Sequence, residues 1–456
     1  MNKAAPLTQT LADCALDIAR RPLPETVGDQ AKLCLLDFAA SVLAATDSRE
    51  AAAAAALLPS FGAGNCSLIA RTERTSVTGA SFYHGMVATV ADIDDSHRFA
   101  SGLHLSAITL PVSLALGEER NSSNDLLLRA IAAGYEISSR ICRAADDGLR
   151  ARGFHSTGAV GAFGSCTAAG VLLGLDRERL AHGLGIAASG GGGIFAFLRE
   201  ASPVRHAHAA WASVNGLSAA LLAAAGTTGP TWALEDSDGF FSAYAGSYDE
   251  GFIAAPPPSE SGIFEINNGY RKLFNACGHS LPSITAALEI REDLIGRLDD
   301  VKRIEVRAYP AAARLTSSNP GTVGEAKFSM PCIVALALLF GDVTAREMRM
   351  EVLSRPEVRR LAEKVSVVED PKISAEFPRL RASELRIDLK DGSRLRKYVD
   401  AAIGLPENPA SLNQLIQKFV DNAEDHLPGD SVGVMAKEVM KDMPVRWITE
   451  KLRLEI

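Results

Sequence analysis

Aromatic side chains are scarce in this chain: Phe, Trp and Tyr make up 6% of its 456 residues. A core poor in large rings must be built from closely packed aliphatic and small side chains, and the abundant Ala suits helices in near contact. Cysteine is thinly spread. The seven Cys, at positions 14, 34, 66, 142, 166, 277 and 332, include no CxxC pair. That excludes a disulfide frame or a zinc cage and reads as reduced, mostly buried thiols. Positive charge is in deficit. A net charge of −8 argues against a nucleic-acid partner, whose phosphates need a basic surface, but leaves room for a local cationic pocket. Long apolar runs are missing too. MNKAAPLTQTLADCALDIARR lacks the uninterrupted centre of a secretory signal, and residues 332–340 are too few to span a bilayer. A cytoplasmic protein without membrane or nucleic-acid partners is expected. The glycines at 190–193 lack GxGxxG spacing and follow no strand, which excludes a nucleotide loop.

What is present points to two domains, since 456 residues exceed one ordinary core. Residues 7–226 carry a helical pattern. Leu33, Leu36, Ala40 and Leu43 recur at three-and-four spacing after Pro24, and residues 126–144 repeat it behind Ser122 and Asn124, two candidate caps. Residues 159–175 are rich in Gly and Ala, and another helix is expected over 209–225. Three prolines at 256–258 resemble a linker. Beyond them the period changes to two: Ile304, Val306 and Ala308 alternate with Glu305 and Arg307, as do Leu385, Ile387 and Leu389 before a two-residue Asp391-Gly392 turn. Helical stretches at 327–340 and 346–364 lie between these strands. After Gly404 the pattern is helical again. The expected fold is therefore multi-domain: a large all-α helical domain from residues 1–265 and 400–456, with a smaller α+β lid domain at 266–399.

Four clusters could carry chemistry. Asp92-Ile93-Asp94-Asp95-Ser96-His97, followed by His104, packs three carboxylates together; they must be paired, bonded or partly protonated. Taken alone, a helix end with acidic caps explains it better than a metal site, since no calcium loop or i,i+4 His pair is present. The second cluster, Gly153-Phe154-His155-Ser156-Thr157-Gly158, suits a proton-transfer group at a pocket wall as well as it suits a capping segment. Arg205-His206-Ala207-His208 could hold a carboxylate at a helix start, or be a solvated helix end. Lys272 with Ala276-Cys277-Gly278-His279 lacks an oxyanion-hole motif, so Cys277 reads as structural rather than nucleophilic.

The order of these segments resembles the MmgE/PrpD family over nearly the whole chain. LLDFAASVLAA (35–45), ADIDDSH (91–97), LPVSLALGE (110–118) and AGYEISSRI (133–141) come first. GFHSTGAVGAFGSCTAAGVLLGLD (153–176) is the most specific stretch; LGIAASGGGG, NACGHS, AKFSMP (326–331), DGSRLRKYV and GLPENPAS follow in family order. The resemblance implies a helical domain plus lid, a pocket between them and a homodimer. It also implies no metal, flavin or nicotinamide, and a small polycarboxylate as substrate. It assigns Asp92, His104, His155 and Arg205 to catalysis and Ser96, His97, Lys272 and His279 to substrate binding. Leu105, Arg205, Leu281 and Cys332 stand where the family commonly has Pro, Lys, His and Tyr.

Arg is a poor acid and Cys a weaker hydrogen-bond partner than Tyr, which turns the reading away from dehydration and decarboxylation alike. The leading expectation is epimerisation at a carbon next to a carboxylate, as in the iminodisuccinate epimerase branch. His155 and His104 would carry protons, Asp92 would orient one of them, and Arg205, His279 and Lys272 would clamp carboxylates. Dehydration of a 2-methylcitrate-like hydroxy-polycarboxylate is the alternative. A polyacid-binding homologue without activity is a third.

Overall fold

The structure, a computed structural model, describes residues 5–454 apart from 101, 146 and 201. It divides into two compact units, Met1–Tyr270 with Leu412–Ile456, and Arg271–Ser411. Both boundaries fall later in the chain than expected, for a local reason. Ser96–His97 (β1) pairs antiparallel with Gly269–Tyr270 (β2), which holds residues 269–270 in the larger unit. The Arg271 N–H donates to Gly404 O at 3.1 Å and the Gly404 N–H to Asn408 O at 2.8 Å, so residues 404–408 stay with the smaller one.

The larger unit is built on helices α1 (Leu7–Arg20), α2 (Glu25–Leu43), α3 (Val77–Val87), α4 (Leu105–Glu119), α5 (Asn124–Ala144), α6 (Ser156–Leu173), α7 (Arg177–Ala188) and α8 (Val204–Ala224). It is not purely α, because a two-residue ladder joins Cys66–Ser67 to Arg74–Thr75 and β1 joins β2. α5 begins between the two caps expected for it: Ser123 Oγ accepts the Leu126 N–H. The triple-proline segment is not a domain linker. Arg140, paired with Glu136 at 2.7 Å, donates to the carbonyls of Ala255 at 2.7 Å and Pro256 at 3.0 Å, fastening that stretch to α5.

α6 is the centre of this unit, packed against α4, α5 and α8. By length and composition it could cross a membrane, yet 94% of it is buried within the protein. Small residues let its neighbours come close. A Cβ placed on Gly161 would lie 2.7 Å from Ile108 Cγ2 of α4 and 2.8 Å from Ala212 Cβ of α8, and one on Gly216 of α8 would lie 2.4 Å from Ala162 O. Three helices thus meet where one glycine leaves room.

In the smaller unit, α9 (Leu281–Arg291) and α10 (Met330–Phe340) pack on a four-stranded sheet. Its strands are β3 (Val301–Ala308), β4 (Val365–Glu369), β5 (Ser383–Leu389) and β6 (Arg394–Val399), in the order β4-β3-β5-β6. β3 and β4 run parallel; the other neighbours are antiparallel. Ile304, Val306 and Ala308 are buried while Glu305 and Arg307 are half-buried, so the period-two pattern does mark one inner face. The turn is longer than expected. Lys390, Asp391 and Gly392 lie inside the bonded pair Leu389 and Ser393, with Gly392 at φ +86°.

The chain then returns to the larger unit as α11 (Leu412–Ala423). Lys418 Nζ lies 2.6 Å from Asp37 Oδ1 of α2 and donates at 2.6 Å to Ile93 O, so a buried ion pair ties this end of the chain to the segment before β1.

Gly161→Ala should lower stability by about 1–3 kcal/mol, the cost of overpacking a tight core. Denaturant unfolding monitored by circular dichroism measures it, and an unchanged midpoint would show that the helices yield at this crossing.

Candidate active site

Two helix starts place the central histidines. His104 is the N-cap of α4 and His155 the N-cap of α6, both with extended backbone. Residues at this position border unpaired backbone N–H groups and the positive end of the helix dipole, an anion-receptive surrounding. The two rings lie 6.2 Å apart between centroids. Thr157, in the first turn of α6, links the two starts. Its hydroxyl donates to Gly102 O at 2.7 Å and accepts the His104 N–H at 3.1 Å.

His104 Nδ1 is 2.7 Å from Asp94 Oδ2, a fully buried carboxylate. An ionised carboxylate only accepts, so Nδ1 carries a proton and Nε2 points away from Asp94. Among the described residues Nε2 has no hydrogen-bond partner, which leaves it for a ligand. The expected orienting group was Asp92; the structure puts Asp94 there. Asp92 Oδ2 instead lies 3.7 Å from Arg205 Nη2, and Arg205 also donates to Thr89 O at 3.3 Å. Asp92 is held at φ +61°, a left-handed conformation that Asp tolerates better than most residues.

His155 is buried, and its Nδ1 lies 3.1 Å from Nδ1 of His208. Phe195 and Phe197 stand edge-on to the His155 ring at centroid distances of 5.2 and 5.4 Å. Burial, reinforced by His104, His208, Arg205 and Arg150, holds its pKa well below the ordinary value of 6.5. Burial and Arg205 lower His208 as well. Both rings are therefore neutral at pH 7, so one donates and the other accepts between the two Nδ1 atoms.

The remaining acidic and polar residues of the first cluster build the scaffold. Asp95 accepts the Ser106 N–H at 2.8 Å and the Tyr135 hydroxyl at 2.8 Å, capping α4. Ser96 Oγ donates to Leu103 O at 3.0 Å. His97, expected to bind substrate, is fully buried with both nitrogens engaged. Its Nδ1 accepts the N–H groups of Phe99 at 3.2 Å and Ala100 at 2.9 Å, and its Nε2 faces Glu265 at 3.0 Å. Neither nitrogen is left for a ligand; His97 is a loop-fastening residue.

In the smaller unit, His279 Nδ1 lies 3.0 Å from the Tyr309 hydroxyl. Burial, then the charges of Arg381 and Lys272, push its pKa down to about 3. Lys272 and Arg381 are both buried, which makes a cationic cluster suited to an anion. Leu281 is buried in the first turn of α9, and Cys332 is buried in α10 with its thiol pKa raised by desolvation. All seven cysteines are free, and burial pushes the thiols of Cys14, Cys66, Cys142 and Cys166 up to about 12.

The MmgE/PrpD N-terminal domain matches residues 9–252 and the MmgE/PrpD C-terminal domain residues 274–441. The chain belongs to the MmgE/PrpD family. Its MmgE/PrpD relatives include cis-aconitate decarboxylase of Homo sapiens, 29% identical over 377 residues that cover 80% of this chain and 76% of that protein. Cis-aconitate decarboxylase of Aspergillus terreus is 25% identical over 92% of this chain and 89% of its own length. 2-Methylcitrate dehydratase of Salmonella typhimurium is 27% identical over 56% of this chain and 55% of its own length. As a member of the MmgE/PrpD family the chain is an enzyme.

Of the residues singled out in the sequence, His104, His155 and Arg205 surround one region of the larger unit, while Lys272 and His279 belong to the smaller one. Asp94 and His208 were missed as functional groups. Asp94 stood unassigned among three neighbouring carboxylates, and only the ring distance to His104 selects it. His208 stood in a segment that by itself reads more readily as a solvated helix end. Tyr309 and Arg381 gave no signal, being ordinary residues beside a strand.

Histidines kept neutral by burial predict acid lability. His84 Nε2 accepts the Ile69 N–H at 3.0 Å, and burial takes its pKa from 6.5 to about 3. Below pH 6.5 the unfolded chain binds protons that folded His84 and His155 refuse. The stability present above that value is therefore lost as pH falls, by about 1.4 kcal/mol per pH unit for each histidine. His84→Gln, whose amide oxygen can accept the same N–H, should flatten the dependence by one proton. Urea unfolding between about pH 6.5 and 4.5 tests the slope, and an unaltered slope would show that His84 is charged in the fold.

Proposed function

We propose that this enzyme is an acid–base lyase that decarboxylates a small di- or tricarboxylate and protonates the carbon left behind. The observation that carries the reading is the pair of imidazoles at 6.2 Å, each with an Nε2 atom unengaged among the described residues. One imidazole is backed by a carboxylate and the other is held neutral, so a proton can be accepted at one ring and supplied at the other near pH 7. The Arg205 guanidinium beside them supplies a permanent positive charge for a carboxylate and for the enediolate formed as CO2 departs.

Decarboxylation demands less of the altered residues than dehydration does. It needs one proton for carbon and a cation for charge; it needs no acid for a leaving hydroxyl. Arg205, which cannot give up its proton, suits the demand for a cation and not that for an acid. The decarboxylase relatives also match over 80% of the chain or more, whereas the dehydratase matches over 56%. The relatives thus support lyase chemistry over the epimerisation expected from sequence. Epimerisation would use the same two imidazoles, so the relatives and not the site geometry separate the two reactions. Lys272 and His279, with Arg381, are proposed as an anion-binding cluster of the smaller unit in its own right. Two copies of the chain in a homodimer, and activity without a metal or organic cofactor, are part of the same reading.

Incubation with cis-aconitate in D2O, followed by proton NMR and CO2 detection, tests it. The expected result is CO2 release with one deuterium on the product carbon. A new alkene from 2-methylcitrate without CO2 would make the enzyme a dehydratase. Deuterium entering an unchanged substrate would make it an epimerase, and a raised melting temperature without turnover would make it a binding protein. His155→Ala should reduce kcat by about two to four orders of magnitude while the protein stays folded. Arg205→Ala should mainly raise KM, by about 2–4 kcal/mol of lost charge-assisted binding; an unchanged KM would place the guanidinium off the substrate.

A further inference from the structure

We infer that Lys418 is a positioning residue of the active site: from α11 it holds the peptide that leads into Asp94, and so sets the carboxylate behind His104. This rests on the reading of His104 as one of the two proton carriers, and goes beyond it by assigning what keeps that ring in register. Three observations carry it. Lys418 Nζ donates to Ile93 O at 2.6 Å and lies 2.6 Å from Asp37 Oδ1, with both side chains buried. Ile93 stands between two carboxylates of the site: Asp94 Oδ2 is 2.7 Å from His104 Nδ1, and Asp92 Oδ2 is 3.7 Å from Arg205 Nη2. The segment 88–95 that carries these three residues belongs to no helix or strand, and Asp92 within it is held at φ +61°.

The mechanics follow from the peptide bond. The Ile93 carbonyl and the Asp94 N–H belong to one rigid plane, so a donor fixed on that oxygen fixes the direction in which the chain enters Asp94. A left-handed Asp persists only where its surroundings over-determine the backbone. Within the segment the Asp92 N–H reaches Thr89 O at 3.3 Å, and the ammonium supplies a shorter anchor from outside. That anchor is itself fixed, because α11 packs along α2, the helix that carries Asp37. A buried ammonium needs an opposite charge, and Asp37 provides it. Packing alone would not call for the pair, since apolar side chains of similar volume fill such a place equally well. The residues of the Lys418–Ile93 contact are separated by 325 positions. The last stretch of the chain thus completes a site begun before β1.

Lys418 exchanges no proton in this scheme; its contribution is geometric. Asp94 holds the Nδ1–H of His104, so the direction of Nε2 follows the position of that carboxylate. A shift of the Ile93 peptide moves Asp94, turns the ring and carries Nε2 away from the reacting carbon. His155 is held by other groups, with His208 at its Nδ1 and the Gly193 carbonyl on its backbone N–H. Loss of Lys418 should therefore disturb one imidazole and spare the other, whereas a general loosening of the fold would disturb both.

Histidine-labelled NMR of the full chain tests this without any substrate. The variant is Lys418→Met/Asp37→Leu, which removes both charges together and leaves neither unpaired. The expected result is an unchanged melting temperature, loss of the His104 Nδ1–H resonance to exchange with water, and an unaltered His155 signal. Turnover supplies the second readout. On cis-aconitate kcat should fall by about ten- to a hundredfold, the scale of misplacing a catalytic group by up to about 1 Å. Lys418→Gln/Asp37→Asn is the milder pair: its amides can bond each other, while the shorter Gln withdraws its donor from Ile93 O. It should show the same changes in smaller measure. A His104 signal and a kcat at the wild-type level in either folded variant would overturn the proposal. So would loss of the His104 and His155 signals together with a lowered melting temperature, the mark of a structural brace. If the wild type leaves cis-aconitate unchanged while the His104 signal alone is lost in the variant, the positioning role stands and the decarboxylase reading fails.

Discussion

Close approach of α4, α6 and α8 is the constraint on which the site depends. At Gly161 a single methyl group would collide with both neighbouring helices, so the three axes come together only because that side chain is absent. The starts of α4 and α6 are carried along with their axes. His104 and His155 occupy those starts, and the 6.2 Å between their rings follows from packing one turn or more away. The scarcity of aromatic residues and the abundance of alanine serve this geometry. Large side chains at the crossings would separate the helices and the imidazoles with them.

The acidic segment before α4 shows how one short run of sequence divides labour. Asp95 closes the end of α4, Asp94 fixes the tautomer of His104, and Asp92 lies beside Arg205. Three carboxylates this close would repel one another in water. Here each faces a different positive or hydrogen-donating partner, and so the cluster persists at neutral pH. His97 and Glu265 complete the arrangement by fastening the loop after β1 to the segment before β2. The histidines divide in the same manner: His84 and His97 satisfy backbone groups and a carboxylate, while His104, His155 and His208 each keep a ring nitrogen available for exchange.

Charge is placed economically. An acidic chain with a net charge of −8 presents positive groups to its imidazoles in only a few positions, Arg205 and Arg150 in the larger unit among them. Burial above all keeps His155 and His208 neutral; Arg205 adds to it at both rings and Arg150 at His155, and the same cations would attract an anionic substrate.

Much of this was present in the sequence. The spacing of Leu33, Leu36, Ala40 and Leu43 and the alternation of Ile304, Val306 and Ala308 reflect the local rule that one face of a helix or strand is buried. The segments from ADIDDSH to DGSRLRKYV, taken in order, were enough for the family, and they pointed to His104, His155 and Arg205. Local pattern has no access to what lies across a helix interface. Whether Asp92 or Asp94 supports His104, and whether His97 is a ligand or a fastener, depends on distances between residues that neighbour one another only after folding. His155 and His208 are separated by 53 positions, and their contact exists because α6 and α8 pack face to face. Periodicity along a chain records which side of an element is apolar. The partner of a polar atom is decided by the packing that brings two such elements together.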